Sequence, residues 1–183
     1  MFSARGIPCE LADPGDAEEG VGRGTCTDVA IAKARAKARV VAAGLGAGPP
    51  ALVIGADTIA ELDGQPIGKP VDRADARRIL ARLSGTCHSV VTAVALAWVP
   101  EGREHAFAET SAIWMRALAA SEIAAYVDSG EADGKAGAYA IQETGDRFVE
   151  RIAGDIDTVV GFPFTRFLAE LERLGEPVPR GLG

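Results

Sequence analysis

The sequence predicts an α/β fold in which helices flank a mixed, largely central, twisted sheet. Three observations lead to this prediction. Nearly half of the 183 residues are apolar, which is enough for one well-buried core. Apolar runs rich in β-branched residues alternate with segments whose apolar residues recur at helical spacing. Tight-turn residues between several runs indicate hairpins in addition to crossover connections.

The first predicted element is a long helix. Residues 13–24 precede it and form a loop, because they are rich in glycine and acidic residues. Thr27 or Asp28 can cap the Ala-rich segment that follows, and this segment extends to about residue 43 before glycines and prolines stop it.

A buried strand and a hairpin come next. Residues 52–56 are a continuous apolar run bounded by turn residues, so they are typical of a buried strand that carries Asp57 at its far end. Asp63-Gly64 then makes a tight turn between residues 59–62 and 66–67.

The rest of the chain combines paired strands with helices, and we expect residues 1–183 to form a single domain with two lobes. The predicted elements are a helix that Asp72 caps and that ends at residue 83, strands 88–99 and 106–115 joined by a turn at 100–102, a helix over 120–127, a strand over 148–152 and a helix over 163–174.

Charge and cysteine content limit the class of function. The net charge of −7 argues against a protein that binds nucleic acid polymers, but it permits a local basic pocket for a single nucleotide. Cys9, Cys26 and Cys87 show no metal-site spacing, which indicates reduced packing residues. No apolar run has the length of a membrane span or the character of a signal peptide, so we expect a cytoplasmic protein without membrane contact.

The motif Gly55-Ala56-Asp57-Thr58 is the sharpest candidate for chemistry. A carboxylate beside an apolar strand costs free energy unless it is paired, hydrogen-bonded or bound to a metal. Strand ends in α/β proteins also open onto ligand crevices. The alternative is that Asp57 only caps a turn, and the motif alone leaves both interpretations open.

Lysines at two places could meet phosphate groups. Lys69 lies between a glycine and a proline, on a rigid loop that can present its ammonium group. Lys33 and Lys37 are one turn apart on one face of the predicted helix. Solvated surface lysines are the usual explanation of each pattern.

Two further segments could contribute to a site. Asp16, Glu18 and Glu19 could supply oxygen ligands to a hard divalent cation. Small residues in 135–142 would allow close approach of a flat ligand, and Gln142 offers a donor and an acceptor to a base edge. An ordinary loop is the alternative for the acidic segment, and close helix-to-sheet packing with an exposed amide is the alternative for 135–142.

In this order, the motifs resemble the Maf family of nucleotide pyrophosphatases, whose fold has two lobes around a deep groove. The matching stretches run almost end to end along the chain. They are Gly55-Ala56-Asp57-Thr58, Gly68-Lys69-Pro70, Leu83-Ser84-Gly85 with His88 and Thr92, Glu122-Ile123 with Tyr126-Val127, Lys135-Ala136-Gly137-Ala138-Tyr139 with Ile141-Gln142, and Gly154 with Val159-Val160-Gly161 and Pro163.

The resemblance implies a role for each matching residue. Asp57 would be the catalytic carboxylate, acting as general base and as a metal ligand. Glu18 would help to hold the divalent cation, Mg²⁺ or Mn²⁺. Lys37 and Lys69 would face the phosphates of the substrate.

Thr58 and Gln142 match positions tied to base selection, and they resemble the branch that prefers dTTP and UTP. The implied reaction is attack of water on the α-phosphorus of a nucleoside triphosphate, with pyrophosphate as the leaving group. The implied partners are the nucleotide and, in a possible homodimer, a second copy of the chain.

The sequence departs from the family at its start. Family members open with a strand and a Ser-x-Ser-Pro-Arg-Arg loop, followed by a helix and then a stretch like Gly6-Ile7-Pro8. Met1 falls where that helix should be in progress, so we expect the fold to lack its first strand and the arginines of the loop. A start of translation further upstream is the favoured explanation, and a catalytically impaired remnant is the alternative.

Two other functions stay open at this point. The missing loop favours a nucleotide-binding protein that regulates cell division (septum formation) without hydrolysis. An inosine triphosphate pyrophosphatase of related architecture is the third hypothesis, although its Thr-x-Asn-x-Lys opening is not visible here.

Overall fold

A five-stranded sheet with helices on both faces forms the centre of the computed structural model, which describes residues 2–46, 48–142 and 144–178. The strand order is β2-β1-β3-β4-β5. The strands are β1 (Ala51–Leu62), β2 (Gln65–Ile67), β3 (Cys87–Val99), β4 (Arg103–Met115) and β5 (Val149–Ala153). The helices are α1 (Cys26–Leu45), α2 (Arg73–Leu83), α3 (Ala120–Asp128), α4 (Ile156–Val160) and α5 (Phe164–Arg173).

The α/β prediction is confirmed, but the prediction of a mixed sheet needs correction. All four strand pairings in the described part of the chain are antiparallel. The reason lies in the β1–β2 hairpin, which reverses the chain before α2 begins. Helix α2 therefore connects two strands of the same direction, β2 and β3, but β1 lies between them. The predicted crossover exists, and it creates no parallel pair.

Two boundaries differ from the predicted ones in ways that affect the site. Helix α1 begins earlier than expected, because Thr25 is the N-cap and forms a reciprocal capping box with Asp28. Strand β1 continues to Leu62, so Asp57 lies in mid-strand, opposite Ala93 of β3, instead of at a strand end. The residues that follow Asp57 also pair with residues of β3, so the strand does not end at Asp57.

One face of the sheet packs against α1. Ala30, Ala34 and Ala38 are spaced four residues apart, are almost completely buried, and lie against alternate residues of β1 and β3. Gly55 of β1 faces this alanine row, and its missing side chain allows the helix backbone to lie directly on the strand.

The other face carries two apolar clusters. One cluster joins α2 and α3 to the β1–β2 hairpin end of the sheet, and the other joins α5 to the opposite end. Thr58 of β1, Thr92 of β3 and Ser111 of β4 lie on this face between the clusters. A row of hydroxyl groups therefore separates the apolar clusters.

Among the described residues, no helix is both long enough and apolar enough to cross a membrane.

Candidate active site

A cavity of about 760 Å³ opens beside the sheet edge of β1. Strand β2 pairs only with residues 60–62 of β1, so the preceding part of β1 has no strand neighbour on that side within the described residues. The cavity reaches both faces of the sheet around this edge. The cavity is lined by all six residues to which the family resemblance assigns a role, namely Glu18, Lys37, Asp57, Thr58, Lys69 and Gln142. The other candidate cation ligands, Asp16 and Glu19, do not line it.

Lys37 joins the two acidic residues of the cavity. Its Nζ atom donates a hydrogen bond to Asp57 Oδ1 at 2.8 Å and lies 2.5 Å from Glu18 Oε2. It also donates to the Ala56 carbonyl oxygen at 3.3 Å. Three segments that are distant in sequence, the loop before α1, helix α1 and strand β1, thus meet at one ammonium group.

The three charged groups shift one another's protonation. Burial raises the pKa of Asp57, against the opposing effect of Lys37. The hydrogen bond and charge of Lys37 hold the pKa of the more exposed Glu18 below its ordinary value. Burial alone would lower the pKa of Lys37, but its contacts with Asp57 and Glu18 outweigh burial and raise it. At neutral pH Lys37 therefore stays protonated, and Asp57 binds protons more readily than an exposed aspartate.

The local sequence explains why Lys37 reaches Asp57. Side chains alternate along β1, so Asp57 points to the same face as Gly55, which is the face covered by α1. A Cβ atom on Gly55 would lie 2.3 Å from the Ala34 carbonyl oxygen, so only glycine allows α1 to come this close. The close approach brings Lys37, one turn further along the helix, next to Asp57.

Lysines are confined to the cavity. The chain contains four lysines, at positions 33, 37, 69 and 135, and all four line it. No arginine in the described part of the chain does so, although arginine is far more frequent in the sequence. Among the described residues Glu18 and Asp57 are the only acidic ones that line the cavity, so this part of its lining is net positive in a chain of net charge −7.

The family resemblance assigns phosphates to Lys37 and Lys69 but not to the other two lysines. Helix spacing alone indicates Lys33 as a candidate on the same face as Lys37, and Lys135 stands in the sequence only as part of a motif. The small number of lysines in the sequence could have indicated their shared location. Surface ion pairs, such as that between Arg39 and Glu104, use arginine, so the few lysines are available for another role.

Thr58 and Gln142 lie on the other side of the β1 edge from Asp57. Thr58 belongs to the hydroxyl row, and Thr92 holds its side chain. Gln142 is exposed at the end of the segment that begins at Lys135. The cavity therefore has a charged end near α1 and a mainly neutral end between the two apolar clusters.

The wall of the neutral end is fixed by a buried pair. His88 Nε2 and the Tyr139 hydroxyl are 2.7 Å apart, and Tyr139 lines the cavity. Burial lowers the pKa of His88 to about 4, so its ring is neutral at physiological pH. His88 is therefore a structural hydrogen-bonding residue.

The donor set at the charged end suits a hard divalent cation. Asp57 Oδ2 is buried and accepts no hydrogen bond from the described residues, and the Glu18 carboxylate lies beside it. Within the described residues no group of three or more His, Cys, Asp or Glu side chains is placed so that it could hold a metal ion. Mg²⁺ does not need one, because it commonly binds through one or two carboxylates together with water and substrate phosphates.

Fold and cavity together define a class: an α/β protein with one mixed-charge cleft large enough for a nucleotide. The chain belongs to the Maf-like protein family, whose model matches residues 4–174. The family resemblance drawn from the sequence motifs is thereby confirmed.

Several relatives are named dTTP/UTP pyrophosphatase. The one from Syntrophomonas wolfei is 42% identical over 147 residues, which cover 80% of this chain and 76% of the relative. The one from Anaeromyxobacter dehalogenans is 41% identical over 182 residues, 98% of this chain and 90% of the relative. The one from Symbiobacterium thermophilum is 39% identical over 177 residues, 96% of this chain and 88% of the relative.

Proposed function

We propose that this protein hydrolyses nucleoside triphosphates to the monophosphate and pyrophosphate, with dTTP and UTP as the preferred substrates. The observation that carries the proposal is that all four lysines line the same cleft as the Glu18–Asp57 carboxylates. A triphosphate needs positive charge for its phosphates and carboxylates for its cation, and this cleft offers both. The names of the relatives support the same reaction and the same bases.

The lysines supply the electrostatic part of the reaction. Negative charge grows on the leaving pyrophosphate as the bond to the α-phosphorus breaks, and fixed cations lower the free energy of that state. Lys33 and Lys37 approach from α1, whereas Lys69 approaches from the loop after β2. Because Lys37 keeps its proton, it stays a cation throughout.

Asp57 is proposed to take the proton of the attacking water. Its raised pKa suits this task, because a base whose pKa is nearer to neutrality binds the transferred proton more firmly. Glu18 and Asp57 would also hold a divalent cation, Mg²⁺ or Mn²⁺, which supplies charge neutralisation to the phosphates when bound. Lys37 then fixes the position of both carboxylates through its two contacts.

Thr58 and Gln142 are proposed to contact the base. They lie at the neutral end of the cleft, where aromatic and aliphatic side chains such as Tyr139, Ile141 and Val160 surround a ligand. A flat base fits such a lining, and the two polar side chains can distinguish its edges.

Product analysis tests the proposal. The full chain is incubated with UTP, dTTP, CTP, ATP and GTP, with Mg²⁺, with Mn²⁺ and with excess chelator, and the nucleotide and phosphate products are separated. We expect monophosphate and pyrophosphate in equal amounts, fastest with UTP and dTTP, and no turnover with chelator. Release of inorganic phosphate with a nucleoside diphosphate would contradict the proposed reaction. No turnover of any nucleotide would also contradict the proposal, and it would favour binding without hydrolysis.

Location in the cytoplasm and a homodimeric state stay predictions.

A further inference from the structure

Two hydrogen bonds connect the base end of the cleft to the interior of the sheet. Thr58 Oγ1 lies 2.9 Å from Thr92 Oγ1, and Thr92 Oγ1 donates to the main-chain carbonyl oxygen of Thr158 at 2.6 Å. Thr92 and Thr158 are completely buried, whereas Thr58 lines the cleft. The chain of bonds thus runs from α4, through β3, to the cleft surface of β1.

The direction of both bonds follows from the number of protons. A carbonyl oxygen can only accept, so the single hydroxyl proton of Thr92 points to Thr158. Thr92 has no second proton and can only accept from Thr58. The Thr58 hydroxyl must therefore donate its own proton to the hydrogen bond with Thr92 Oγ1.

Thr58 is left with acceptor lone pairs for a ligand. Space beside the hydroxyl is provided by Gly161, where an added Cβ atom would lie 3.4 Å from Thr58 Oγ1. Gly161 and Thr58 both line the cleft, so a ligand atom can approach this oxygen. Only a ligand that presents a hydrogen-bond donor is complementary to it.

We propose that Thr92 is a positioning residue that makes Thr58 an obligatory hydrogen-bond acceptor, and that this selects pyrimidines carrying a proton on N3. The inference rests on the proposed function, because it assumes that the base occupies the neutral end of the cleft. Uracil and thymine present an N3–H donor, whereas cytosine presents an N3 acceptor. Cytosine would bring two acceptors together, and one buried polar group would lose its partner.

Equilibrium binding tests the inference independently of turnover. Isothermal titration calorimetry in Mg²⁺ measures the affinity of the full chain for UMP, CMP and N3-methyl-UMP, the last of which lacks only the N3 proton. We expect UMP to bind about 10-fold more tightly than either competitor, which corresponds to about 1.4 kcal/mol. Equal affinities for UMP and N3-methyl-UMP, or binding of neither, would overturn the inference.

Variants then test the part played by Thr92. Thr92→Val keeps the shape of the side chain but frees the Thr58 proton, so the preference for UMP over CMP should fall towards unity. Thr92→Ser retains the hydroxyl and should restore most of the preference. Ser111→Ala is the matched control, because Ser111 is also completely buried and also donates to a carbonyl of the same segment, that of Asp155, but does not contact Thr58.

The outcomes separate a role in selectivity from a role in packing. Loss of preference in Thr92→Val, but not in Ser111→Ala, is expected. A full preference retained in Thr92→Val, or an equal loss in both variants, would overturn the inference. If circular dichroism shows that Thr92→Val does not fold, Thr58→Val replaces it, with the same expected loss and the same contrary result. A chain that binds UMP selectively through Thr92 but releases no pyrophosphate would contradict only the proposed hydrolysis.

Discussion

Gly55 of β1 lies directly against Ala34 of α1, so that a methyl group on Gly55 would come within 2.3 Å of the Ala34 carbonyl oxygen. The nitrogen of Ala38 would be 2.8 Å away. Both atoms belong to the helix backbone and cannot move without the helix. The separation between α1 and β1, and with it the Lys37–Asp57 contact, therefore depends on the absence of a side chain at position 55.

Gly55→Ala should displace α1 and weaken the site and the fold together. Overpacking of this kind typically costs about 1–3 kcal/mol, which urea unfolding measures. The Michaelis constant for UTP should also rise, because Lys37 moves away from Asp57. Gly44→Ala is the control, since Gly44 lies in the same helix with open space around it, and its replacement should be neutral or stabilising. Equal stability of the two variants would contradict the close-packing argument.

Asp57→Asn should reduce the rate of pyrophosphate release by about 100-fold or more, since general-base catalysis contributes about 10²–10⁴-fold. Asparagine keeps the shape of the side chain but cannot take up the proton. Asp63→Asn is a matched control, because Asp63 lies in the exposed β1–β2 turn with a φ of 54°, a conformation that asparagine tolerates well. Steady-state kinetics of both variants measure the effect, which we expect in Asp57→Asn and not in Asp63→Asn. An unchanged kcat in Asp57→Asn would rule out this residue as the base.

Lys33→Gln should lower kcat/KM for UTP by about 10-fold, as expected when one charge-assisted contact to a phosphate is lost. The side chain lines the cleft one turn before Lys37. Arg35→Gln removes the same charge from the same helix at an exposed position outside the cleft lining. It should leave kcat/KM nearly unchanged at 0.15 M salt, because exposed charges are screened over about 8 Å. Similar losses in both variants would indicate a general electrostatic effect and not a contact of Lys33.

His88 should make stability depend on pH between about 4 and 6.5. Burial lowers the pKa of the folded-state imidazole from 6.5 to about 4, so within this window the unfolded chain binds a proton that the folded chain does not. The stabilisation is fully present above pH 6.5 and is lost as the pH falls to about 4. It amounts to about 3 kcal/mol.

Urea unfolding of wild type and His88→Gln from pH 7 to 4 measures this effect. Glutamine can still bond to the Tyr139 hydroxyl but does not titrate, so the free energy of unfolding of the variant should fall less steeply with decreasing pH. His105→Gln serves as the control, because His105 is only half-buried beside Glu170. Parallel pH profiles of wild type and His88→Gln would contradict the assignment.

The order of elements could be predicted from the sequence because their signals are local. Asp72 does cap α2, Asp63-Gly64 does form the β1–β2 turn, and the paired strands β3 and β4 are joined at residues 100–102. Helix α4 was missed, since five residues are too few to show a helical period. The direction of strand pairing was not predictable from composition, because it depends on which strand lies between β2 and β3.

The gathering of the candidate site residues followed from the ordered motifs, but its geometry did not. The sequence predicts Asp57 at a strand end, whereas in the structure it lies in mid-strand and borders the cleft because this part of β1 has no strand neighbour on that side among the described residues. Contacts such as that of Thr58 with Thr92 depend on the register between strands that are 34 residues apart, and no local pattern encodes this register. The direction of the hydrogen bond between Thr58 and Thr92 depends in addition on a third residue, because Thr92 donates its proton to the carbonyl oxygen of Thr158 in α4.

The distribution of lysine gives this chain an unusual chemical selectivity. Reagents that acylate primary amines find side-chain targets only in the cleft, because positions 33, 37, 69 and 135 hold the only lysines. Lys37 is engaged by two carboxylates, and these contacts should slow its reaction. Amine coupling to a dye or a sensor surface would therefore obstruct the cleft. Of the three cysteines predicted to be packing residues only Cys26 is buried, and attachment through the exposed thiols of Cys9 or Cys87 would leave the cleft open.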